Sequence, residues 1–247
     1  NTSSFSVEEL ARATGRPDRF AGLHFFYHPA KNRLLEIIPG PTTSPETLAA
    51  CRQFAQLAGK TDILVKDTPG FAVNRFFVPW LNEATRILED GWANIPTIDQ
   101  AAMDSLGIGM GPFKLMNVTG VPIAHHSALT LGNKLGSFYA PSAKLKTQFE
   151  SGELWPLDGE VEEAQLARVS ERLLAVIFYV AADLLEGGST EMADIDVGAK
   201  VGLRWRKGPF ELMNRMGLDK ANGLVEDLLK PWPDLTIPER LHSQQVK

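Results

Sequence analysis

The sequence predicts an α/β segment followed by an all-α segment that is made of two copies of one helical unit. In residues 1–69, short apolar runs typical of strands alternate with helical patterns, which favours a mostly parallel sheet. From Ala72 onward, apolar residues recur at helical spacing. The second copy follows the first at a constant offset of 97 residues, so that GPFKLMN at 111–117 returns as GPFELMN at 208–214. We therefore predict a duplicated helical domain whose copies pair like the two halves of a symmetric dimer.

Capping residues and apolar runs predict the elements of the α/β segment. Ser6 followed by Glu9 is typical of a helix N-terminus and predicts a short helix over 6–14. A Ser-Pro-Glu start predicts a second helix over 45–57, in which Cys51 belongs to the apolar face and is expected to be a buried, inert thiol. Three strands are predicted, over 20–26, 33–38 and 62–66.

The helical segment divides into two repeats, a connection and a tail. Gly-Pro pairs at 111 and 208 place a proline in the first turn of a helix in each copy. We predict an α/β domain over 1–69, a first helical repeat over 70–136 and a second over 165–231. Residues 137–164 are expected to be a linker with one short helix around 143–148, and residues 232–247 a tail that is partly ordered at most.

Composition restricts the function classes. The chain has 247 residues, a net charge of −5 and a pI near 5.6, and it shows no clustered basic face, so we predict no nucleic-acid partner. No apolar run approaches the roughly 20 residues that a membrane span needs. A single cysteine excludes a disulfide framework, and no metal-ligand spacing is present. The chain begins Asn-Thr-Ser-Ser without an initiator Met, so we expect a fragment or a processed product.

Two polar residues interrupt apolar strands, namely His24 in the first strand and Glu36 in the second. If these strands are neighbours, the carboxylate can pair with the imidazole and orient it, which is the arrangement of a general base. The alternative is structural: His24 is then a satisfied core residue and Glu36 points to solvent. The pair His125-His126 has no carboxylate near it in the sequence and is expected on a solvated helix face, and the role of His28 in its turn stays open.

Several blocks of the sequence carry a resemblance to a known family. They are NTSS at 1–4, GLHFF at 22–26, LE at 35–36, KDTPGFAVNR at 66–75 and MGPF at 110–113. In this order and at this spacing, residues 1–135, and again 168–217 for the second helical copy, resemble the 3-hydroxyacyl-CoA dehydrogenases of fatty-acid β-oxidation. The resemblance implies a Rossmann domain for NAD and a helical domain, with the tandem repeats similar to those of the multifunctional members.

The resemblance also implies site residues and their roles. The family oxidises a 3-hydroxyacyl-CoA to a 3-ketoacyl-CoA with NAD, and its serine, histidine, glutamate and asparagine fall on Ser3, His24, Glu36 and Asn74. His24 would accept the hydroxyl proton with Glu36 as its partner, while Ser3 and Asn74 would bind the substrate. Tyr27 stands next to the position of a family asparagine beside the nicotinamide and is the candidate cofactor contact. Glu171 occupies the position of Asn74 in the second copy, so one active site per chain is expected.

The family's glycine-rich NAD loop would lie before Asn1, so this chain is expected to be the C-terminal part of the Rossmann domain plus the helical repeats, without that loop. Expected partners are an acyl-CoA substrate, the remainder of the Rossmann domain and other β-oxidation enzymes. The expected location is the cytoplasm in a bacterium, and the mitochondrion or peroxisome in a eukaryote. Two alternatives remain open: a non-catalytic helical scaffold, and a related dehydrogenase acting on another β-hydroxy acid.

Overall fold

A computed structural model describes residues 1–3 and 5–242 of the chain, so Ser4 and the end of the predicted tail, 243–247, lie outside the described residues. The α/β segment consists, in chain order, of α1 (Val7–Ala13), β1 (Ala21–Phe25), β2 (Leu34–Pro39), α2 (Pro45–Leu57) and β3 (Thr61–Leu64). The helical segment consists of α3 (Val73–Glu89), α4 (Ile95–Leu106), α5 (Pro112–Thr119), α6 (Val121–Leu135), α7 (Ala143–Ser151), α8 (Leu166–Glu186), α9 (Met192–Val197), α10 (Pro209–Met216), α11 (Leu218–Leu229) and α12 (Glu239–His242).

Both helices of the α/β segment begin where their capping residues predict. The Ser6 hydroxyl accepts a hydrogen bond from the Glu9 N–H at 3.3 Å, and the Ser44 hydroxyl accepts one from the Thr47 N–H at 3.2 Å. The predicted burial of Cys51 was only partly right. Its side chain is half-buried on α2, and this burial raises the pKa of the thiol above its ordinary value.

The three strands form one mixed sheet in the order β1-β2-β3, so the prediction of a mostly parallel sheet was wrong for one of its two pairings. β2 and β3 are parallel, as expected for strands joined through α2. β1 and β2 are antiparallel. Only residues 26–33 separate these two strands, and a parallel crossover needs about a dozen residues or more.

The helical duplication seen in the sequence is also present in the structure. At the offset of 97 residues, α3, α4, α5 and α6 correspond to α8, α9, α10 and α11. In each copy an aspartate caps the helix that follows the glycine-proline pair. The Asp99 carboxylate accepts from the Phe113 N–H at 2.8 Å, and the Asp196 carboxylate accepts from the Phe210 N–H at 2.9 Å. The two copies therefore cap this helix in the same way.

The first helices of the two copies pack against each other. Arg75 of α3 lies 3.1 Å from Asp183 of α8, and Glu83 of α3 lies 2.5 Å from Arg172 of α8, so the two helices run antiparallel. α8 is buried along most of its length because α3, α4 and α11 surround it. No helix in the described part of the chain has the length and apolar character needed to cross a bilayer. That the copies reproduce the two halves of a dimer stays a prediction.

The connection between the repeats is more ordered than predicted. It contains a 3-10 turn over Ser137–Tyr139 and the nine-residue helix α7, and Phe138, Leu145 and Trp155 are buried. The Asn82 side chain fixes its start, donating to the Ala140 carbonyl and accepting from the Ser142 N–H, both at 2.8 Å. The short helix expected around 143–148 is present as α7, and isolated aromatic residues, rather than a periodic pattern, attach this segment to the core.

The prediction that both adjacent histidines lie on a solvated face was wrong for His125. His125 is not on a solvated face: it is 7% exposed, and its ring stacks on Phe149 of α7 at a centroid distance of 4.2 Å. His126, beside it, is exposed. The described part of the tail is also attached, because Trp232 contacts the Phe138 ring at 5.5 Å and Leu241 of α12 is buried. In both cases α7 or the 3-10 turn before it supplies the covering side chain.

Candidate active site

His24 and Glu36 are paired across the sheet. The antiparallel register of β1 and β2 sets them directly opposite each other, which brings both side chains to the same face. His24 Nδ1 lies 2.5 Å from Glu36 Oε2, and the residues are 4% and 0% exposed. A carboxylate in this position is costly to bury without a partner, and the imidazole is one of its partners.

The second oxygen of Glu36 fixes the start of α3. Oε1 accepts from the Ala72 N–H at 3.2 Å and from the Val73 N–H at 2.9 Å. The helix has no side-chain cap at its own N-cap residue, so Glu36 supplies the acceptor that its first N–H groups need. The Glu36 carboxylate therefore lies at the positive end of the helix. Glu36 therefore joins β1, β2 and α3 at one point.

The contacts of Glu36 determine which nitrogen of His24 is free. A carboxylate oxygen only accepts, so when the imidazole is neutral Nδ1 carries the hydrogen of this pair and Nε2 has the free lone pair. The ring is held between aromatic side chains, with centroid distances of 4.4 Å to Phe26 and 5.6 Å to Phe71. The orientation of the His24 ring is thus fixed by both the carboxylate and the aromatic contacts.

His24 opens onto a cavity with a volume of about 1030 Å³. Ser3, Tyr27 and Asn74 line the same cavity, and Glu36 lies behind His24. Asn74 is half-buried in the first turn of α3, and none of the hydrogen bonds described for the chain involves its side-chain amide. Tyr27 is 76% exposed at the wall. The structure therefore brings together all five residues that the sequence singled out. A second cavity, of about 560 Å³, lies beside Trp92, and none of these residues lines it.

The loop before α3 has an unusual backbone conformation. Gly70 and Phe71 both lie in the left-handed region, with φ of 77° and 50°. A Cβ at Gly70 would lie 3.2 Å from the Arg75 backbone, which explains the glycine, whereas Phe71 is strained. This turn aims the N–H groups of Ala72 and Val73 at Glu36. The Arg75 guanidinium holds the loop by donating to the Pro69 carbonyl at 3.2 Å.

Sequence reasoning missed the contribution of the second repeat to the cavity. The loop over 202–205 forms part of the wall, and Trp205 anchors it against Phe76 and Trp80 at centroid distances of 5.5 and 5.8 Å. A signal was present, because the two copies agree at 208–214 but diverge at 202–207. Glu171 is not part of the cavity wall and pairs with Lys220 at 2.7 Å.

Comparison with known proteins gives matches along the whole chain. The model of the 3-hydroxyacyl-CoA dehydrogenase NAD-binding domain matches residues 1–68, and that of the C-terminal domain of the same family matches residues 70–159 and 169–244. The expectation that the chain is a substrate half without its NAD half is not supported, because the first match assigns residues 1–68 to the NAD-binding domain.

Individual relatives agree with these matches. A mitochondrial hydroxyacyl-coenzyme A dehydrogenase of Sus scrofa is 46% identical over 49% of this chain and 38% of its own length. A fatty acid oxidation complex subunit alpha of Shewanella amazonensis is 31% identical over 98% of this chain and 38% of its own length. The chain thus spans well under half the length of these relatives.

Among solved structures, a 3-hydroxybutyryl-CoA dehydrogenase from Escherichia coli K12 superposes with a TM-score of 0.89 at 20% identity, over 99% of this chain and 74% of that one. At this identity the superposition shows that the fold is shared. The two family matches cover nearly all of the chain, which therefore belongs to the 3-hydroxyacyl-CoA dehydrogenase family.

Proposed function

We propose that the chain carries out the proton-transfer and substrate-binding part of the NAD-dependent oxidation of a 3-hydroxyacyl-CoA to a 3-ketoacyl-CoA. The observation that carries this proposal is the buried His24–Glu36 pair, with a separation of 2.5 Å, at the wall of a cavity shared with Ser3 and Asn74. A helical scaffold needs no such pair beside a cavity, so this geometry favours an enzyme.

His24 acts as the general base. Its Nε2 accepts the proton of the substrate C3 hydroxyl, and the resulting imidazolium is stabilised by the Glu36 carboxylate on Nδ1. Glu36 keeps the ring from rotating because its other oxygen is fixed by two backbone N–H groups of α3. Ser3, at the same cavity, offers a hydroxyl that donates to the substrate oxygen.

Asn74 positions the substrate. Its amide can donate to the thioester carbonyl and accept from a polar group of the ligand. No described hydrogen bond of this amide has to be broken first. In the second copy this position is Glu171, which is engaged with Lys220 and lies away from the cavity. We therefore assign one active site to the chain.

NAD is the proposed cofactor, and when bound it takes the hydride from C3. The wall around Ser3 and Tyr27 fits its nicotinamide end. The pyrophosphate needs free N–H groups at a helix N-terminus. The N-terminus of α1 is engaged by Asp67 and that of α2 by Ser44, so neither of these two helices supplies them.

The test is turnover by the wild type and by His24→Ala, with NAD and 3-hydroxybutyryl-CoA as substrates and NADH absorbance as the readout. We expect kcat to fall by about 10² to 10⁴, the usual contribution of a general base. Acetoacetyl-CoA binding, measured by calorimetry, should change by no more than a few-fold. A wild type that neither binds the thioester nor forms NADH, although folded by circular dichroism, would contradict the proposal. Oxidation of free β-hydroxy acids in preference to thioesters would favour the related dehydrogenase instead.

The relative named as a subunit of a fatty acid oxidation complex supports a further proposal, that the chain works beside other β-oxidation enzymes. Co-purification of a thiolase or a hydratase with the tagged protein from its own source is the direct test, and a tagged protein recovered without either of them would contradict it.

A further inference from the structure

We propose that Arg204 of the second helical repeat and Lys31 of the β1–β2 connection form an anion-recognition pair in the wall of the active-site cavity. The pair recognises a phosphate or carboxylate group of the ligand and thereby determines which thioesters bind. This inference deepens the proposed function, on which it rests, by adding a binding residue from the repeat that carries no catalytic group.

The first observation is the charge of the cavity wall. The chain has 30 acidic residues and a net charge of −5, yet no Asp or Glu is among the described residues that line this cavity. Lys31 and Arg204 do line it, together with His24, His28 and His126. Lys31 and Arg204 are the residues of this wall that carry a formal charge, so an acidic protein presents a positively charged patch here.

The second observation is the backbone of Arg204. Its φ is 59°, in the left-handed region that glycine tolerates and other residues rarely adopt. The residue at the same place in the first repeat is Gly107, with φ of 66°. A positive φ thus occurs at this repeat position once with a glycine, which tolerates it, and once with a strained arginine. Because strained residues are kept where the side chain is needed, the arginine points to a function.

The third observation is that both cations are free. Within residues 1–3 and 5–242, neither the Arg204 guanidinium nor the Lys31 ammonium has a described hydrogen bond, ion pair or aromatic contact. Other arginines in the helical core are engaged: Arg75 pairs with Asp183, and both Arg86 and Arg172 pair with Glu83. A free cation beside a cavity is available to a ligand.

The fourth observation is that the two cations are held at one junction. The Asn32 amide, next to Lys31, donates to the Gly202 carbonyl at 2.8 Å, two residues before Arg204. Asn32 is 5% exposed, so this bond is shielded from water. On the other side of Arg204, the Arg206 N–H donates to the Leu106 carbonyl at 2.9 Å. The loop is therefore fixed before the ligand arrives, which lowers the entropic cost of binding.

The chemistry of the pair indicates the ligand group. A guanidinium forms two parallel hydrogen bonds with a phosphate or a carboxylate, and an ammonium adds a point charge. Either the phosphates of the thiol carrier or a carboxylate on the acyl group meets this description, so the experiment has to distinguish them.

The experiment measures binding by calorimetry for the wild type, Arg204→Gly and Lys31→Gln. The matched control is Arg206→Gln, which removes the same charge from the same loop at a residue outside the cavity wall. The probes are acetoacetyl-CoA, the phosphate-free acetoacetyl-pantetheine, a pantetheine thioester whose acyl chain ends in a carboxylate, and inorganic pyrophosphate. Arg204→Gly is expected to weaken binding of the anionic probes about tenfold, the effect of one charge-assisted hydrogen bond.

A loss confined to acetoacetyl-CoA and pyrophosphate identifies the carrier phosphates, and a loss confined to the carboxylate-bearing thioester identifies the acyl group. Equal affinities of the wild type and Arg204→Gly for every anionic probe would overturn the proposal, as would an equal loss in Arg206→Gln. NADH formation is followed separately. If the wild type forms none, the proposed function fails, while an Arg204-dependent affinity for pyrophosphate still supports the anion-recognition pair.

Discussion

Replacing Glu36 by glutamine separates the two tasks of this carboxylate. The glutamine carbonyl can still accept from the Ala72 and Val73 N–H groups, which lie 3.2 and 2.9 Å from the present Oε1. Its amide N–H₂ then faces His24 Nδ1, where the carboxylate now accepts. Two donors cannot pair, so the imidazole must place its hydrogen on Nε2 and accept with Nδ1.

The expected loss follows from this change of tautomer. With hydrogen on Nε2, His24 cannot take the substrate proton, so kcat should fall by about 10² to 10⁴, as for removal of the base. The free energy of unfolding should fall by only about 1 kcal/mol, the value of one charge near a helix N-terminus. Glu36→Ala would mix the two effects, because it leaves two buried N–H groups without an acceptor.

For each variant, the assay measures kcat at saturating NAD and 3-hydroxybutyryl-CoA and, separately, the melting temperature. Glu83→Gln is the control, since Glu83 is also a buried, ion-paired glutamate and lies outside the cavity wall. It should lower the melting temperature without changing kcat. If kcat of Glu36→Gln stays within about threefold of the wild type, the loss is far smaller than a general base contributes. That result would refute the role of the His24–Glu36 pair in proton transfer.

Three further predictions concern the repeats and the pH dependence. Asn74→Ala should reduce kcat/KM about tenfold through the loss of one substrate hydrogen bond, whereas Glu171→Ala should leave kinetics unchanged; equal damage would show a second site. Asp99→Ala and Asp196→Ala should each lower the free energy of unfolding by about 1–3 kcal/mol in urea, because each leaves two N–H groups at a helix start unpaired; a loss in only one would contradict their equivalence. Burial lowers the pKa of His125 below 6.5, so stability is complete above that value and declines as pH falls toward the lower folded pKa. His125→Phe should therefore reduce the drop in melting temperature between about pH 7 and about pH 5, and an unchanged drop would count against this assignment.

Local signals in the sequence were sufficient for much of the fold. Ser6 and Ser44 act through N–H groups three residues away, so their helices were predictable without any tertiary contact. The duplication was also readable, because Asp99 and Asp196 keep the same spacing to the helices that they cap. The direction of β1 depends on the length of its connection to β2, which is too short for a parallel crossover. The alternation of strands and helices alone does not show this.

The site was only partly accessible from the sequence. His24 and Glu36 stood out as polar residues in apolar strands, but the strand register decides whether they meet. The apolar pattern alone favoured a core histidine instead. The burial of His125 depends on Phe149, 24 positions later, on a helix that shows little periodicity. Contacts of this kind come from packing between elements, which no local pattern encodes.

The differences between the repeats carry more functional information than their similarities. In a symmetric homodimer each surface occurs twice, so a cation placed at one cavity also appears at its symmetry mate. Two copies in one chain are free of this restriction. Gly107 and Arg204 share a positive φ but not a side chain, and Asn74 and Glu171 share a helix position but not a charge. In both pairs the residue with binding chemistry lies at the one cavity that contains His24. With the site assigned as we propose, the second repeat completes the site of the first without duplicating its chemistry.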